Sequence, residues 1–492
     1  MIRKLIKIIL AVVILFLFVW QFAPTLILAP YNAMKPVTTT STNGLYIINA
    51  NDNEFVEGKS NIKFKHVKLD GEYNSEGASV ADINNDGLND VVTGHYWYEA
   101  PDWTRHTIRK PLQDAVSIPK LSDHIKIFLE SGGKKDIWSR AYPLAFFTFH
   151  ADVNKDGWVD VIALDITSAG FYWFENPKGV EGEWPQHLIM NYTRNESPVF
   201  MDLLGTGKPQ VITGAVEPDL VSGKLAAASF PDSITNAVDP SAASGKLYAV
   251  EFPDEGGYVI HTIEAENEGR NTGATLPTHG LGVGDINGDG LNDVVFGSGE
   301  GFFDKAGNPA PRQSFDEGGW YEQQIAADGT RSWKWHIIDP AVSFSQMLVM
   351  DVNNDGRNDF MSGMGHGRGV FWFEQTGDNE WKRHVIDDTY TDAHADELAD
   401  IDGDGVDDLV VGKTPLAHLG LKDPDEFGTP YLYWYKIVQS DDGKVKFERN
   451  LIDDSVGVGR QVTVADINKD GLPDIAVATR HGVHIFLQEP AV

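Results

Sequence analysis

Apolar positions fall into two regimes along this chain. Residues 8–29 are apolar with interruptions only at Gln21, Pro24 and Thr25, and Arg3, Lys4 and Lys7 stand before them. A run of 22 such residues is long enough for a helix to cross a hydrocarbon core of about 30 Å. Basic residues on its N-terminal side stay in the cytoplasm, so the rest of the chain is expected on the periplasmic or extracellular side. The run therefore predicts a transmembrane signal anchor over residues 1–30. A cleaved signal peptide is the alternative, but the run is long for one and no clean Ala-x-Ala site follows. Residues 31–60, with a Thr/Ser patch at 38–42, read as a tether.

From residue 61 onward the apolar segments are short and separated by polar turns. One turn recurs as Asp-x-Asn-x-Asp-Gly-x-x-Asp. Its copies are Asp82, Asn84, Asp86 and Asp90; Asp152, Asn154, Asp156 and Asp160; Asp285, Asn287, Asp289 and Asp293; Asp351, Asn353, Asp355 and Asp359; Asp400, Asp402, Asp404 and Asp408; and Asp466, Asn468, Asp470 and Asp474. A degenerate copy runs from Asp202 to Gln210, and successive starts lie 49 to 83 residues apart. A small-residue strand precedes each copy. An apolar strand follows it, then an aromatic strand such as residues 171–174, then a strand ending in His-x-Ile or similar. Four short strands per repeat, without helices between them, make one blade of a β-propeller. Seven repeats predict an all-β, seven-bladed propeller over residues 61–492. The last repeat lacks its fourth strand, and a matching strand lies before the first, at residues 64–67. The N-terminal strand is therefore expected to complete the last blade and remove the open sheet edges.

Composition narrows the chemistry. The net charge is −32, from 40 basic and 72 acidic residues. So acidic a surface excludes nucleic acid as a partner, because phosphate contacts need Lys and Arg. No cysteine is present, which excludes disulfides, thiolate metal sites and a Cys nucleophile. Positions 1, 3, 5 and 9 of the six intact turns carry 19 carboxylates. Hard oxygen donors at that spacing, with Gly at position 6, suit structural calcium (Ca2+) at about six sites. The alternative is a set of Asx turns that need no metal.

The turns and the aromatic strand resemble FG-GAP/VCBS repeats, as in integrin-type propellers and many exported bacterial proteins. The resemblance covers about residues 60–488 and implies the propeller and calcium. It leaves function open, since propellers host adhesion, sugar binding and catalysis. More loosely, the chain is similar to the propeller of sugar dehydratases of the aldos-2-ulose dehydratase kind and to propeller polysaccharide lyases.

The repeat register sorts the 15 histidines. His66, His106, His187, His261, His336 and His384 share one place in the fourth strand and read as scaffold. His150 and His484 read as packed residues. Six residues before each turn lies the mouth of the innermost strand, on the face opposite the turns. Those positions hold Glu76, Phe146, Glu196, His279, Ser345, His394 and Arg460. Loops between strands two and three add His95, His366, His418 and His481 on that face, beside insertions at about 214–245, 298–318 and 414–430, and the segment 111–142, which carries His124, is expected to cover it.

Histidines are the usual general bases near neutral pH. Two or three of them converging with a glutamate can instead hold zinc (Zn2+) or another divalent metal, and Arg460 can hold a carboxylate or stabilise an enolate. The exported setting and the aromatics favour a carbohydrate ligand. The leading expectation is a carbohydrate lyase or dehydratase working by β-elimination through His279, His394, Glu76, Arg460, His95, His366, His481 and Glu196. Its rival is a non-catalytic binding or adhesion propeller displayed from the membrane, and a third reading is a scaffold subunit of an envelope complex.

Overall fold

The computed structural model describes residues 54–110, 143, 145–165, 170–190, 193, 196–216, 245–265, 279–297, 318–338, 344–417, 425, 427–440 and 444–490. The expected membrane anchor, most of the tether, the segment 111–142, the bulk of the three insertions, His124 and His418 lie outside them. Among the described residues no helix is long and apolar enough to cross a membrane.

The described strands form seven sheets. Blades 1 to 6 begin with the innermost strands Ser79–Ala81, Ala145–Ala151, Val199–Met201, Leu281–Gly284, Leu348–Met350 and Ala393–Ala399. Each continues outward through three antiparallel neighbours in chain order. Blade 7 takes Val462–Ala465, Asp474–Thr479 and Gly482–Glu489 from the C-terminus and its fourth strand, Lys63–Asp70, from the N-terminus. The ring closes as the sequence predicts.

Alternation of apolar side chains gives every blade two buried faces, and seven hydrophobic clusters fill the spaces between neighbouring blades. Phe174 of blade 2 meets Val92 and Trp97 of blade 1 in one. Ile485 of blade 7 meets Tyr98 of blade 1 across the closure. Burial of such side chains, at about 25 cal/mol per Å² of apolar surface, holds the ring together without a continuous central core.

The last Asp of each turn is a clasp. Asp160 is fully buried and accepts amide hydrogens from Val153 (2.9 Å) on its own turn and from Asn176 (2.8 Å) beyond the aromatic strand. Asp90, Asp293, Asp359, Asp408 and Asp474 make the same pair of bonds. Blade 3 keeps one half of it with a neutral side chain, Gln210 accepting from the Leu204 amide at 2.9 Å. Asp160→Ala in chelator should lower the unfolding free energy by about 2–5 kcal/mol, because two buried amides lose their acceptor. Asp160→Asn keeps one acceptor oxygen and turns an NH2 donor toward the other amide, so it should be destabilised as well; an unchanged unfolding free energy in urea titrations of Asp160→Ala would rule the clasp out.

The repeated histidines belong to the scaffold, with one correction. His106, His187, His336 and His384 stack on Trp97, Trp173, Trp320 and Trp372 at 4.1–4.2 Å between ring centroids. Each also bonds a glutamate two residues after that Trp, Glu99, Glu175, Glu322 or Glu374. His261 bonds Glu251 at 2.8 Å opposite Ala249. His66 is out of this register. It lies opposite Phe486 and bonds His484 Nδ1 at 2.8 Å, while Val67 faces Ile485. Its strand comes from the other end of the chain, so the pairing across the closure sets its register rather than the repeat.

Phe55–Glu57, at the end of the segment read as tether, adds a fifth strand to blade 6, parallel to Val445–Asp453. Glu54 just before it accepts from His384 Nδ1 at 2.6 Å, while Glu374 takes Nε2 at 2.7 Å. Both ring nitrogens thus face carboxylates, which only a doubly protonated imidazole satisfies. Burial alone would lower the His384 pKa, but the bonds to Glu54 and Glu374 outweigh it and raise the pKa above its usual value, with Lys382 opposing. A raised histidine pKa contributes stability that is complete below the unfolded value of about 6.5 and lost as pH climbs through the folded value. Amide protection at Phe55–Glu57, corrected for intrinsic exchange, should therefore fall from pH 6 to pH 9 in the native chain. Glu54→Gln should weaken that dependence, and identical profiles would contradict the latch.

Candidate functional site

The innermost strands point their mouths at one axis, and four ligand-bearing side chains from four consecutive blades meet there. Glu196 precedes Val199–Met201 in blade 3, and His279 precedes Leu281–Gly284 in blade 4. His366 sits in the turn between Asp359–Gly363 and Arg368–Gly377 of blade 5, and His394 lies on Ala393–Ala399 of blade 6. One donor atom from each lies within 4.8 Å of those of the other three. His279 and His366 bring their Nε2 atoms to 2.7 Å. The His394 ring centroid is 4.7 Å from that of His366 and 5.6 Å from that of His279. Glu196 Oε2 is 3.5 Å from His279 Nε2. All three histidines are buried.

Close approach of backbone makes room for this cluster. A Cβ on Gly365 would stand 3.0 Å from the His394 ring. Asp396, two residues after His394, accepts from the Gly363 amide (2.6 Å) and the Ser345 hydroxyl (2.9 Å). It thereby ties the His394 strand to the segment leading into His366. Burial pushes the Asp396 pKa up to about 7, against those two hydrogen bonds.

The ring is completed from blades 7 and 1. Arg460 Nε lies 3.4 Å from Glu196 Oε2, and the Arg460 amide donates to the Glu76 carbonyl at 2.7 Å. Gln346 of blade 5 reaches across to the Arg460 carbonyl at 3.1 Å. The Glu76 carboxyl is fully buried, and among the described residues neither oxygen has a hydrogen-bond partner. Burial raises its pKa and Glu196 adds to the rise, while Arg460 and Arg480 oppose it. Arg480 is buried over the Tyr73 ring at 4.8 Å and escaped the reading of mouth positions, because it lies in the turn between strands two and three of blade 7.

Two of the residues grouped with the funnel from sequence lie apart from the cluster among the described residues. His95 is buried in blade 1, its carbonyl accepting the Ile108 and Arg109 amides. Burial first and then the Arg109 charge hold its pKa well below the usual value. His481 sits beside His484, whose Nε2 meets its carbonyl at 3.1 Å. Burial, with Lys68 and Arg480, lowers its pKa. Asp396 was missed because an aspartate on an innermost strand carries no pattern of its own.

Three imidazoles and one carboxylate make a donor set suited to tetrahedral zinc or a similar divalent ion. The first turn residues make a different arrangement. Asp82 accepts the Asp86 and Gly87 amides, and Asn84 gives its amide to Asp86 at 3.1 Å. That leaves an exposed rim of oxygens of the hard-donor kind.

The FG-GAP repeat family matches residues 458–486. No curated protein matches the sequence. Among solved structures, an Agrocybe aegerita protein described as recognising non-reducing terminal N-acetylglucosamine is similar at 14% identity and a TM-score of 0.36, over 67% of this chain and 73% of its own. A luciferin-regenerating enzyme is similar at 12% identity and a TM-score of 0.38, over 80% and 100%. The extracellular domain of a hybrid two-component system of B. thetaiotaomicron is similar at 10% identity and a TM-score of 0.41, over 87% of this chain and 41% of its own.

Proposed function

We propose that this FG-GAP seven-bladed propeller is an exported, membrane-anchored carbohydrate lyase or dehydratase with a divalent metal held in its funnel. The observation that carries the reading is the convergence of Glu196, His279, His366 and His394 from four blades onto donor atoms within 4.8 Å of one another. Three buried imidazoles and a carboxylate, with donor atoms this close together, are the ligand set that a divalent ion such as zinc takes. The metal, when bound, would polarise a sugar carbonyl or carboxylate and make the adjacent C–H acidic. The charge run at residues 3–7 and the apolar run at 8–29 support the anchor, and the recurrence of the aspartate turn supports calcium as the scaffold's second ion.

With the histidines engaged as ligands, proton transfer falls to Glu76. Its carboxyl is unclaimed by hydrogen bonds, and burial raises its pKa. Such a group, once ionised, is a stronger base than an exposed glutamate. It takes the proton from the carbon α to the carbonyl or carboxylate, the C–O bond at the β carbon breaks, a C=C bond forms between the two carbons, and the departing oxygen takes a proton from solvent. Arg460 orients Glu196 and places positive charge beside the site.

Full-length protein loaded with zinc or manganese and given acidic oligosaccharides should produce the ultraviolet absorbance of an unsaturated uronide. Glu76→Gln should lower the rate by about 100-fold or more, the scale of losing a general base, while His279→Ala should lose activity together with metal. Metal binding without turnover of any acidic sugar would instead favour a binding or adhesion propeller.

A further inference from the structure

Three linked positions repeat around the ring. In blades 1, 2 and 5 the third turn residue is asparagine, and its amide donates to a glutamate that closes the aromatic strand: Asn84 to Glu99 at 3.0 Å, Asn154 to Glu175 at 3.2 Å, and Asn353 to Glu374 at 3.4 Å. The same glutamate holds the fourth-strand histidine opposite the Trp. Blade 4 has the same three residue types in Asn287, Glu322 and His336.

Blade 6 differs at all three positions together. The turn residue is Asp402, the strand residue is Lys436, and Asn450 stands opposite Trp434 where the histidine would be. The Lys436 ammonium donates to Asp402 and, at 2.6 Å, to Asp404. Donor oxygens of Asp400, Asp402 and Asp408 lie within 4.8 Å of one another, a crowding of negative charge that a shared cation relieves. Here Lys436 brings a cation of the chain itself to one of these three, Asp402, and to Asp404 beside them. A doubly charged ion entering this turn would meet Lys436 on two of its own oxygen ligands, and like charges a few ångström apart repel strongly.

We propose that the blade 6 turn is stapled by Lys436 in place of calcium, so that it stays closed when its sister turns lose their ion. The inference rests on the reading that the sister turns take calcium. Its consequence reaches the funnel, because the strand that carries His394 runs directly into this turn at Asp400. Withdrawal of calcium would loosen the other intact turns and leave this ligand in place.

Native mass spectrometry of the full-length chain, titrated with calcium, counts the ions. The wild type should bind one fewer calcium than the double variant Lys436→Glu/Asp402→Asn, which restores the sister pairing. Equal, non-zero counts would overturn the proposal and leave the calcium reading standing. Zero counts in both proteins would sink the calcium reading and the proposal with it. In chelator, Lys436→Met should lower the melting temperature and speed hydrogen exchange in residues 400–408. An unchanged exchange rate there would overturn the staple. Should the double variant fail to fold, exchange in the wild type decides: adding calcium should protect residues 82–90 and leave residues 400–408 unchanged. Equal protection of both turns would overturn the proposal.

Discussion

His394→Gln should weaken binding of zinc to the funnel by on the order of 100-fold or more. Loss of an outer partner of a ligand alone costs 10–100-fold, and in the proposed site His394 is itself a ligand. It has no solvent exposure, and its ring lies against both His366 and His279. Glutamine keeps most of the volume, so the change isolates the lost nitrogen from the cavity that alanine would leave. Titration calorimetry with zinc alone, on the full-length chain, reads affinity and stoichiometry together. His95→Gln is the matched control, since His95 is also buried but lies in blade 1 apart from the cluster. Equal loss in both variants would mean a general packing effect, and unchanged zinc affinity in His394→Gln would remove the metal reading.

Removal of calcium should lower the melting temperature by on the order of 10 °C. A site filled at a hundredfold excess over its Kd adds about 2.7 kcal/mol to the folded state, and several sites divided over a chain of this size give a shift of that scale. The loss has a local cause. Asp82, Asp86 and their counterparts crowd carboxylates on exposed turns, and the backbone amides that they accept offset only part of the repulsion. Scanning calorimetry with calcium, with calcium-selective chelator, and with chelator followed by excess calcium checks it. A melting temperature indifferent to all three would mean that the amide network alone closes the turns.

Much of the fold was legible because its determinants are local. The turn spans nine residues and recurs with the same strand types around it, so register could be counted from Asp82 to Asp474 without any long-range information. Counting six residues back from each turn reached Glu76, Glu196, His279, His394 and Arg460, which line one axis because a propeller places equivalent positions around it. The same counting failed for His66, whose strand crosses from one end of the chain to the other. It also failed to separate His366 from His95 and His481, which hold similar places in their own blades. Of these three only His366 joins the cluster, and the strand before its turn is tied through the Gly363 amide to Asp396 beside His394.

By itself, the sequence determined the number of blades, their closure and the ring of positions that face the funnel, because these follow from periodic short-range patterns. Only the tertiary structure decided which ionisable groups meet. It selected three histidines and Glu196 as one donor set, left the Glu76 carboxyl buried and unclaimed, set Lys436 among the blade 6 aspartates, and fastened Glu54 to His384. Each of these depends on residues far apart in the chain, and the free energy of a charge depends on its neighbours in space and on how much water they exclude. No spacing along the chain records either.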